Sequence, residues 1–328
     1  MKIIGLLQNN VFMDFLDKQM KRIGFGIEFV DYKKPLEPQI VDANIIVNGF
    51  NNINKSILDL CPELKLVQQS GIGVDSIDVK ECTTRGIYVA NVPMANAISV
   101  AEHALFLILH LAKNIKSITH KDGSSVSSIS TANIKYNPTV ELHGKTLAII
   151  GLGVTGIEVA KRAKAFGMRV DAITKNPFTK TEGSNKKYFV DSINGTDKLQ
   201  EILAKANIVS IHTPLNNETQ DMIGPKELKL MKTSAYLINV ARAHIVNEKA
   251  LYLALTNKEI AGAAFDVYWR ETADPNDNML KLDNFILTPH IAGWTAEAIE
   301  SITKIISINI ERVSRGQLPL TIVNQELV

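Results

Sequence analysis

The sequence predicts an α/β protein with two doubly wound parallel sheets. Short runs rich in Val and Ile alternate with longer helical patterns, and the alternation begins again after a long apolar helix over 97–113. Strands separated by helix-length segments are typical of parallel sheets with crossover helices. At roughly 150 residues per domain, the length of 328 residues also indicates two domains.

The strand-like runs fall into two series. The first contains IIGLL at 3–7, IEFV at 27–30, NIIV at 44–47, KLVQQ at 65–69 and GIYVA at 86–90. The second contains TLAII at 146–150, RVDAI at 169–173, NIVSI at 207–211, AYLIN at 235–239, AGAAF at 261–265 and NFILT at 284–288. Six such strands are enough for a complete doubly wound sheet.

The last helical segment, at 294–313, carries isoleucines from Ile299 to Ile310 at spacings of three and four, which predicts an amphipathic helix. We expect this helix to pack against the first series. The expected domains are therefore 1–96 with 293–328, and an inserted 97–292. The two long helical segments would join these domains, with a ligand cleft between them.

Composition excludes several function classes. Lys and Arg total 36 against 34 Asp and Glu, and a net charge of +2 gives no basic field for binding nucleic acid. The apolar stretch Ala104–Ala112 is shorter than the roughly 18–20 residues of a membrane span. Cys61 and Cys82 form no CxxC pair and no secretory signal precedes them, so we expect reduced thiols and a cytoplasmic protein. The histidines show no metal-ligand spacing, and we expect no metal.

A glycine loop opens the second series. TLAII is followed directly by Gly151, Gly153 and Gly156 in GLGVTG, and then by a helical segment. In this setting the first glycine permits a tight turn, the second lets backbone amides approach a pyrophosphate, and the third allows close helix–strand packing. The helix N-terminus adds partial positive charge. We therefore expect a dinucleotide site of Rossmann type, the alternative being a simple glycine-rich turn.

The end of the next strand bears on the choice of coenzyme. An NAD site expects a carboxylate there to accept from the ribose hydroxyls. Asp171 lies in mid-strand, whereas the strand ends with Thr174, Lys175 and Asn176. A hydroxyl, an ammonium and an amide suit a 2′-phosphate. We favour NADP over NAD, and the alternative is that Lys175 is a solvated turn lysine.

Three polar residues follow the ends of later strands. Arg242 follows AYLIN, Glu271 follows AGAAF and His290 follows NFILT. Open α/β sheets bind ligands at the carboxyl ends of their strands, so we expect the three side chains to meet. Taken singly, the Arg and the Glu are more often solvated charges, and the His is more often structural. A functional site is favoured only because all three follow the carboxyl ends of strands.

Together these motifs resemble the D-isomer-specific 2-hydroxyacid dehydrogenase family over nearly the whole chain. The further motifs, in the order of that family, are SGIGVDSID at 70–78, NVPMANAISVAEHAL at 91–105, HTPLNNET at 212–219, INVAR at 238–242, AFDV at 264–267 and PHIAGWT at 289–295. The resemblance implies a Rossmann-type nucleotide domain inserted in a smaller flavodoxin-like substrate domain, and a homodimer. It also implies hydride transfer between NAD(P)H and a small 2-keto acid or D-2-hydroxy acid.

The resemblance assigns roles to the three polar residues. It makes His290 the acid/base, Glu271 its carboxylate partner and Arg242 the anchor of the substrate carboxylate. Imidazole titrates near neutrality, so His290 can supply the proton that a keto oxygen needs. Glu271 would favour imidazolium and raise the pKa of His290. The planar guanidinium of Arg242 matches a carboxylate in a bidentate grip.

The resemblance also implies binding residues. Those for substrate are Ile72, Gly73, Asn96 and Arg242, with Asn48 and Phe50 shaping the pocket. Those for coenzyme are Gly151, Gly153, Val154, Thr155, Gly156, Thr174, Lys175, Asn176, His212, Thr213, Pro214, Val240, Ala241, Asp266, His290 and Ala292. We expect Asp266 to bind the nicotinamide carboxamide, or alternatively to cap a helix, and His212 to line the site without proton chemistry. We interpret His103 and His110, seven residues apart, as helix packing residues.

The chain departs from the family pattern at several places. Ala243 stands where a glycine is usual, and Val246-Asn247 replaces an acidic residue, which bears on local backbone geometry. The segment from 116 to 142 lacks the Trp-containing arm that is usual in the family and often packs across the dimer. The sequence therefore does not determine which residues form the expected dimer interface. Its Ser-rich part, 122–130, is expected to be a solvated connector.

The substrate is expected to be a small, unphosphorylated 2-keto acid such as glyoxylate, hydroxypyruvate or pyruvate. The loop after the third strand, VNGFNNINK, has no Arg for a phosphorylated substrate, and the chain stops at Val328 with no regulatory extension. Phosphoglycerate dehydrogenase is the first alternative. An alternative of another class is a nucleotide-sensing protein resembling a corepressor, which turnover of 2-keto acids would exclude.

Overall fold

The computed structural model describes residues 1–114, 139–177, 189–270 and 274–327. The chain divides into two compact units, Met1–Ser99 with Gly293–Val328 (unit 1) and Val100–Ala292 (unit 2). Most of the 116–142 segment, with its expected Ser-rich connector, lies outside the described residues. No helix of the described part is long and apolar enough to cross a membrane.

Unit 1 is built on one parallel sheet. Its strands are β1 (Ile3–Leu6), β2 (Glu28–Phe29), β3 (Ile45–Asn48), β4 (Leu66–Gln69) and β5 (Tyr88–Ala90). Its helices are α1 (Asn10–Arg22), α2 (Glu37–Ile40), α3 (Lys55–Asp59), α4 (Val79–Thr84) and, near the C-terminus, α10 (Ala296–Ser314), while α5 (Ala97–Lys113) begins in unit 1 and continues into unit 2. The strand order β2-β1-β3-β4-β5 is that of flavodoxin-like sheets.

The helix α10 packs in unit 1, on the side of the sheet that carries α1. Ile302, Ile306 and Ile310 are buried in one apolar cluster with Leu16 and Met20 of α1. The amphipathic spacing read from the sequence therefore marks the buried face of this helix.

Unit 2 is also built on one parallel sheet. Its strands are β6 (Thr146–Ile150), β7 (Arg169–Ile173), β8 (Ser192–Asn194), β9 (Ile208–Ile211), β10 (Tyr236–Asn239), β11 (Gly262–Phe265) and β12 (Phe285–Leu287). Its helices in the described residues are α6 (Val154–Ala165), α7 (Leu199–Lys205), α8 (Pro225–Leu230) and α9 (Glu248–Thr256), and short 3₁₀ turns lie at Thr196–Lys198, Ala243–Ile245 and Met279–Lys281. A further 3₁₀ turn, Gln325–Leu327, lies in unit 1. The strand order is β12-β11-β10-β9-β6-β7-β8, and apolar clusters cover both faces.

The prediction of an α/β fold with two parallel sheets is confirmed. The prediction of six strands in the second sheet is wrong, because β8 adds a seventh at the edge, beside β7. This strand is only three residues long and half-buried, so it carries no apolar period that a sequence reading could detect. The order still reverses between β6 and β9, as in a Rossmann sheet.

Candidate active site

The carboxyl ends of β6 and β9 lie side by side where the strand order of unit 2 reverses. Open α/β sheets bind ligands in the crevice at such a point. Gly151 follows β6 and His212 follows β9, and a Cβ on Gly151 would lie 2.5 Å from the His212 carbonyl oxygen. Gly151 also has a φ of 101°, in the left-handed region. The chain therefore requires glycine here.

The other two glycines of the loop differ in their surroundings. A Cβ on Gly156 would collide with the Gly151 carbonyl oxygen, so Gly156 is required for close packing inside the protein. Gly153 is the N-cap of α6, and a Cβ on it would meet no described atom within 4 Å. Open space thus lies beside a helix N-terminus, where backbone N–H groups lack intrahelical partners. These residues fit the pyrophosphate of a dinucleotide.

Two polar residues of the β7 region are buried. Asp171 accepts hydrogen bonds from Arg169 and Ser192, and so belongs to the packing of the sheet rather than to its ligand edge. Thr174 is only 7% exposed, and its backbone N–H donates to the Asn194 carbonyl oxygen. Direct contact of the Thr174 hydroxyl with a coenzyme therefore stays a prediction that its burial does not favour.

The exposed residues after β7 are Lys175 and Asn176. The Lys175 Nζ lies 2.7 Å from each carboxylate oxygen of Glu218, in the loop after β9. Asn216 holds that loop, because its Oδ1 accepts the N–H groups of Glu218 and Thr219 at 2.9 and 3.1 Å. The Lys175 and Glu218 side chains are 70% and 64% exposed, so water weakens their ion pair.

His212 directly follows β9, at the point where the strand order of unit 2 reverses. Its Nε2 lies 2.8 Å from Ser210 Oγ. Burial lowers the pKa of His212 to about 4, so the ring is neutral at pH 7. A neutral ring agrees with the expectation that His212, followed by Thr213 and Pro214 at the same strand end, does no proton chemistry.

The turn after β10 is built on Asn239, which the sequence analysis does not identify. Its buried side chain accepts the Ala241 N–H at 3.0 Å and donates to the Arg242 carbonyl oxygen at 2.9 Å. Arg242 Nη1 in turn donates to the Ala241 carbonyl oxygen at 2.9 Å. The motif INVAR could have indicated this role, because an asparagine at the end of a buried strand can form side-chain hydrogen bonds with the backbone of the following turn.

The two departures from the family pattern are accommodated locally. Ala243 is buried and begins the 3₁₀ turn Ala243–Ile245, with a φ outside the left-handed region. Asn247 is the N-cap of α9, and its side chain accepts the Ala250 N–H at 3.0 Å. Neither position needs a glycine or an acid for its observed structure.

The loop after β12 is bound by the carboxylate of Asp266, which is 1% exposed. Its Oδ1 accepts from the Thr288 hydroxyl at 2.5 Å and from the Ile291 N–H at 3.0 Å, and its Oδ2 accepts from the Ala292 N–H at 2.7 Å. These donors flank His290 on both sides. Asp266 therefore fixes the loop that carries His290 rather than a helix end. Its contact with a nicotinamide carboxamide stays a prediction.

His290 has a φ of 57°, a conformation that non-glycine residues rarely adopt. Such a conformation persists only where neighbouring bonds hold it, and it is frequent at functional sites. His290 is exposed at the surface of unit 2, yet desolvation by the surrounding protein atoms lowers the pKa of its ring. The negative charge of Asp266 opposes this shift, and the positive charge of Arg242 lowers the pKa further. Arg242 and His290 thus lie within electrostatic range of each other in unit 2. That their side chains meet at one substrate stays a prediction.

Glu271, the third of these residues, lies outside the described residues. The expected rise in the pKa of His290 depended on this carboxylate, and it stays a prediction. Among the described groups the net effect on this pKa is a lowering, with desolvation as the largest cause and Asp266 opposing it.

His103 is not only a helix packing residue. Its Nε2 lies 2.9 Å from Thr288 Oγ1 and 3.5 Å from Asp266 Oδ1. Its ring also packs against Phe106, at a centroid distance of 5.7 Å. Helical spacing on α5 cannot reveal these polar partners, because Thr288 and Asp266 are distant in sequence.

The substrate-binding residues expected in unit 1 follow β4 and β5. Ile72 is exposed, and its carbonyl oxygen accepts from Asn91 Nδ2 at 2.8 Å. The Asn96 side chain lies against Gly293, where an added Cβ would be 2.6 Å from Nδ2. In contrast, Asn48 is fully buried and donates to the Asn51 carbonyl oxygen, so it can shape a pocket only through that loop.

Comparison with known proteins identifies the family. Residues 105–292 match the model of the NAD binding domain of D-isomer specific 2-hydroxyacid dehydrogenases. The chain is 34% identical over 304 residues to a glyoxylate reductase of Korarchaeum cryptofilum, covering 90% of this chain and 87% of that protein. The chain belongs to the D-isomer-specific 2-hydroxyacid dehydrogenase family. It is therefore a member of an NAD-binding family of oxidoreductases.

The chain is also similar to two further enzymes with other named activities. It is 37% identical over 294 residues to a D-3-phosphoglycerate dehydrogenase of Methanocaldococcus jannaschii, covering 89% of this chain but only 54% of that protein. A crystal structure of a D-lactate dehydrogenase from Aquifex aeolicus, complexed with NAD and lactic acid, matches with a TM-score of 0.83 and 29% identity. That match covers 98% of this chain and 99% of the other.

The glycine loop of this dehydrogenase allows a test that separates folding from coenzyme binding. Gly156→Ala should lower the free energy of unfolding by about 1–3 kcal/mol, because the new methyl group meets backbone. Gly153→Ala should change it by no more than about 0.5–1 kcal/mol yet weaken coenzyme binding at least tenfold. Urea unfolding and calorimetric titration with NADPH and NADH measure both quantities. Unchanged coenzyme binding by Gly153→Ala would exclude this loop as the pyrophosphate site.

Proposed function

We propose that this dehydrogenase reduces a small, unphosphorylated 2-keto acid, such as glyoxylate, hydroxypyruvate or pyruvate, to the D-2-hydroxy acid with NADPH. The observation that carries the proposal is the electrostatic interaction of Arg242 with His290, two residues that follow β10 and β12 of the sheet that also bears the glycine loop. A guanidinium beside an imidazole matches a 2-keto acid, which has a carboxylate next to the oxygen that must receive a proton.

Each proposed residue has a distinct task in the reduction. The bound nicotinamide dinucleotide supplies the hydride. Arg242 binds the substrate carboxylate through two N–H groups and so orients the keto group. His290, as imidazolium, gives its proton to the C2 oxygen, which prevents charge from accumulating there. Glu271 is proposed to stabilise the imidazolium.

The proposal also assigns residues of unit 1 to the substrate. The backbone N–H groups of Ile72 and Gly73 and the amide of Asn96 would be further ligands of the carboxylate. They follow the carboxyl ends of β4 and β5, where parallel sheets offer free loop backbone to ligands.

A second candidate is 3-phosphoglycerate dehydrogenase activity, favoured by the relative with 37% identity. The loop between β3 and α3, residues 49–54, contains no Arg, so a phosphate dianion would lack a guanidinium partner from this loop. Lys55, the first residue of α3, is the nearest cation in the sequence. Steady-state rates with glyoxylate, hydroxypyruvate, pyruvate and 3-phosphohydroxypyruvate decide between the two. If 3-phosphohydroxypyruvate has the highest kcat/KM of the four substrates, 3-phosphoglycerate dehydrogenase activity is favoured instead.

The proposed preference for NADPH depends on the end of β7. Lys175 and Asn176 are exposed there, and neither they nor Thr174 is a carboxylate that would repel a 2′-phosphate. Glu218 competes for Lys175, but exposed ion pairs contribute only about 0–1 kcal/mol. A phosphate dianion can therefore displace Glu218, and NAD stays the alternative coenzyme.

Replacing the proposed proton donor tests the chemistry. His290→Ala should lower kcat for 2-keto acid reduction by roughly 10²–10⁴, while coenzyme binding stays nearly intact. His110→Ala, on α5, is the matched control and should keep kcat. Stopped-flow and steady-state rates measure both variants, and an unchanged kcat in His290→Ala removes this residue from the mechanism.

The pH dependence of the wild-type enzyme follows from the same role. Imidazolium is the proton donor, so reduction should be fastest below the pKa of His290 and fall as pH rises through it. Desolvation and Arg242 lower this pKa, and Asp266 opposes them. Glu271→Gln should move the fall to lower pH, because a nearby negative charge is lost. A flat profile, when chemistry limits the rate, would contradict the role.

Two opposite variants test the coenzyme site. Lys175→Ala should lower the NADPH to NADH ratio of kcat/KM about 10- to 100-fold, the effect of one charge-assisted contact. Glu218→Gln should raise the same ratio a few-fold, because it frees Lys175. If neither variant moves the ratio, the 2′-phosphate site lies elsewhere or the coenzyme is NAD.

A further inference from the structure

His103 occupies a position from which it can control the loop that carries His290. It belongs to α5, a helix of 17 residues, whereas Thr288 belongs to the loop after β12. The contact of 2.9 Å between His103 Nε2 and Thr288 Oγ1 ties this loop to a rigid element. Phe106, one helical turn further along α5, packs against the ring.

The hydrogen-bond chemistry fixes which atom donates. A threonine hydroxyl has one proton, and an ionised carboxylate only accepts. The 2.5 Å contact with Asp266 has the length of a charge-assisted bond, so the Thr288 hydroxyl donates to Asp266. The Nε2 of His103 must then carry a proton and donate to the Thr288 oxygen. Burial lowers the pKa of His103, with Asp266 opposing, which favours the neutral Nε2–H ring at neutral pH.

The Thr288 hydroxyl has a second acceptor within reach. The Phe265 carbonyl oxygen lies 3.4 Å from Thr288 Oγ1, against 2.5 Å for the Asp266 carboxylate. The donor from His103 approaches the hydroxyl oxygen and restricts the rotation of its proton. Without this donor the hydroxyl can turn, and Asp266 then loses one of the three bonds that hold the loop on both sides of His290.

We propose that His103 is a positioning residue for His290: it donates from Nε2 to the Thr288 hydroxyl, keeps that hydroxyl on Asp266, and thereby fixes the loop that presents the imidazole. The inference rests on the proposed role of His290 as proton donor. His103 itself contacts neither substrate nor coenzyme in this proposal, and its effect passes through Thr288 and Asp266.

Three variants on α5 test this role. His103→Phe keeps a ring against Phe106 but removes the donor, and should lower kcat about tenfold with the KM for coenzyme unchanged. His103→Gln, whose amide can replace the Nε2–H donor, should recover most of the lost kcat. His110→Phe is the control, because this ring also packs against Phe106 without a described bond to the loop, and should keep kcat.

Several results would overturn the proposal. One is an unchanged kcat in His103→Phe. Another is a loss of kcat in His103→Gln equal to the loss in His103→Phe, with the thermal unfolding midpoint of both variants unchanged from the wild type. Such a result would mean that a hydrogen-bond donor at position 103 does not affect kcat. A kcat loss accompanied by an equal loss in the control would indicate general disturbance of α5 rather than positioning.

A measurement independent of turnover distinguishes failure of the positioning role of His103 from failure of the proposed function. Nitrogen-15 spectra of the histidine rings in the full chain should show His103 as the neutral Nε2–H tautomer at pH 7. The ring signals of His290 should shift in His103→Phe but not in His110→Phe. A Nδ1–H tautomer, or unshifted His290 signals, would overturn the positioning role. Absence of turnover on every 2-keto acid, with these spectra as expected, would instead overturn the proposed function alone.

Discussion

The buried carboxylate of Asp266 is the interaction on which the arrangement of the candidate site depends. A charged carboxylate in the interior costs several kcal/mol unless hydrogen bonds replace its water. Thr288, Ile291 and Ala292 supply those bonds, and because they flank His290, the same bonds hold its left-handed backbone. The same three hydrogen bonds therefore compensate the buried charge of Asp266 and hold the backbone that carries the His290 imidazole. The negative charge also counteracts desolvation in setting the pKa of His290.

The chemistry proposed for the site follows from the parallel sheet of unit 2. Every strand of that sheet points the same way, so the loops after β6, β9, β10 and β12 emerge at one edge. Close backbone approach at Gly151 shapes the part of this edge proposed to bind the dinucleotide, and the Asn239 turn shapes the part that carries Arg242. The proposed function is thus distributed over loops, while the paired strands of the sheet hold those loops in register.

Most of the regular elements could be predicted from sequence, whereas the polar contacts around the candidate site could not. Strand β6 and helix α5 agree with the predicted bounds, because each has a strong apolar pattern with clear ends. Strand β8 has no such pattern and forms only by pairing with β7. Helical spacing places His103 on a face of α5 but cannot reveal Thr288, whose position depends on the folded sheet. The burial of Thr174 likewise depends on tertiary packing.

The central claim is that Arg242 and His290 act on one small organic anion. A crystal structure of the full chain with NADPH and oxamate, a 2-keto acid analogue that is not reduced, tests it most directly. The account predicts the oxamate carboxylate within hydrogen-bond distance of the Arg242 guanidinium and its oxo oxygen within hydrogen-bond distance of the His290 ring. Oxamate bound away from both groups, or a His290 ring turned to bulk solvent, would contradict it.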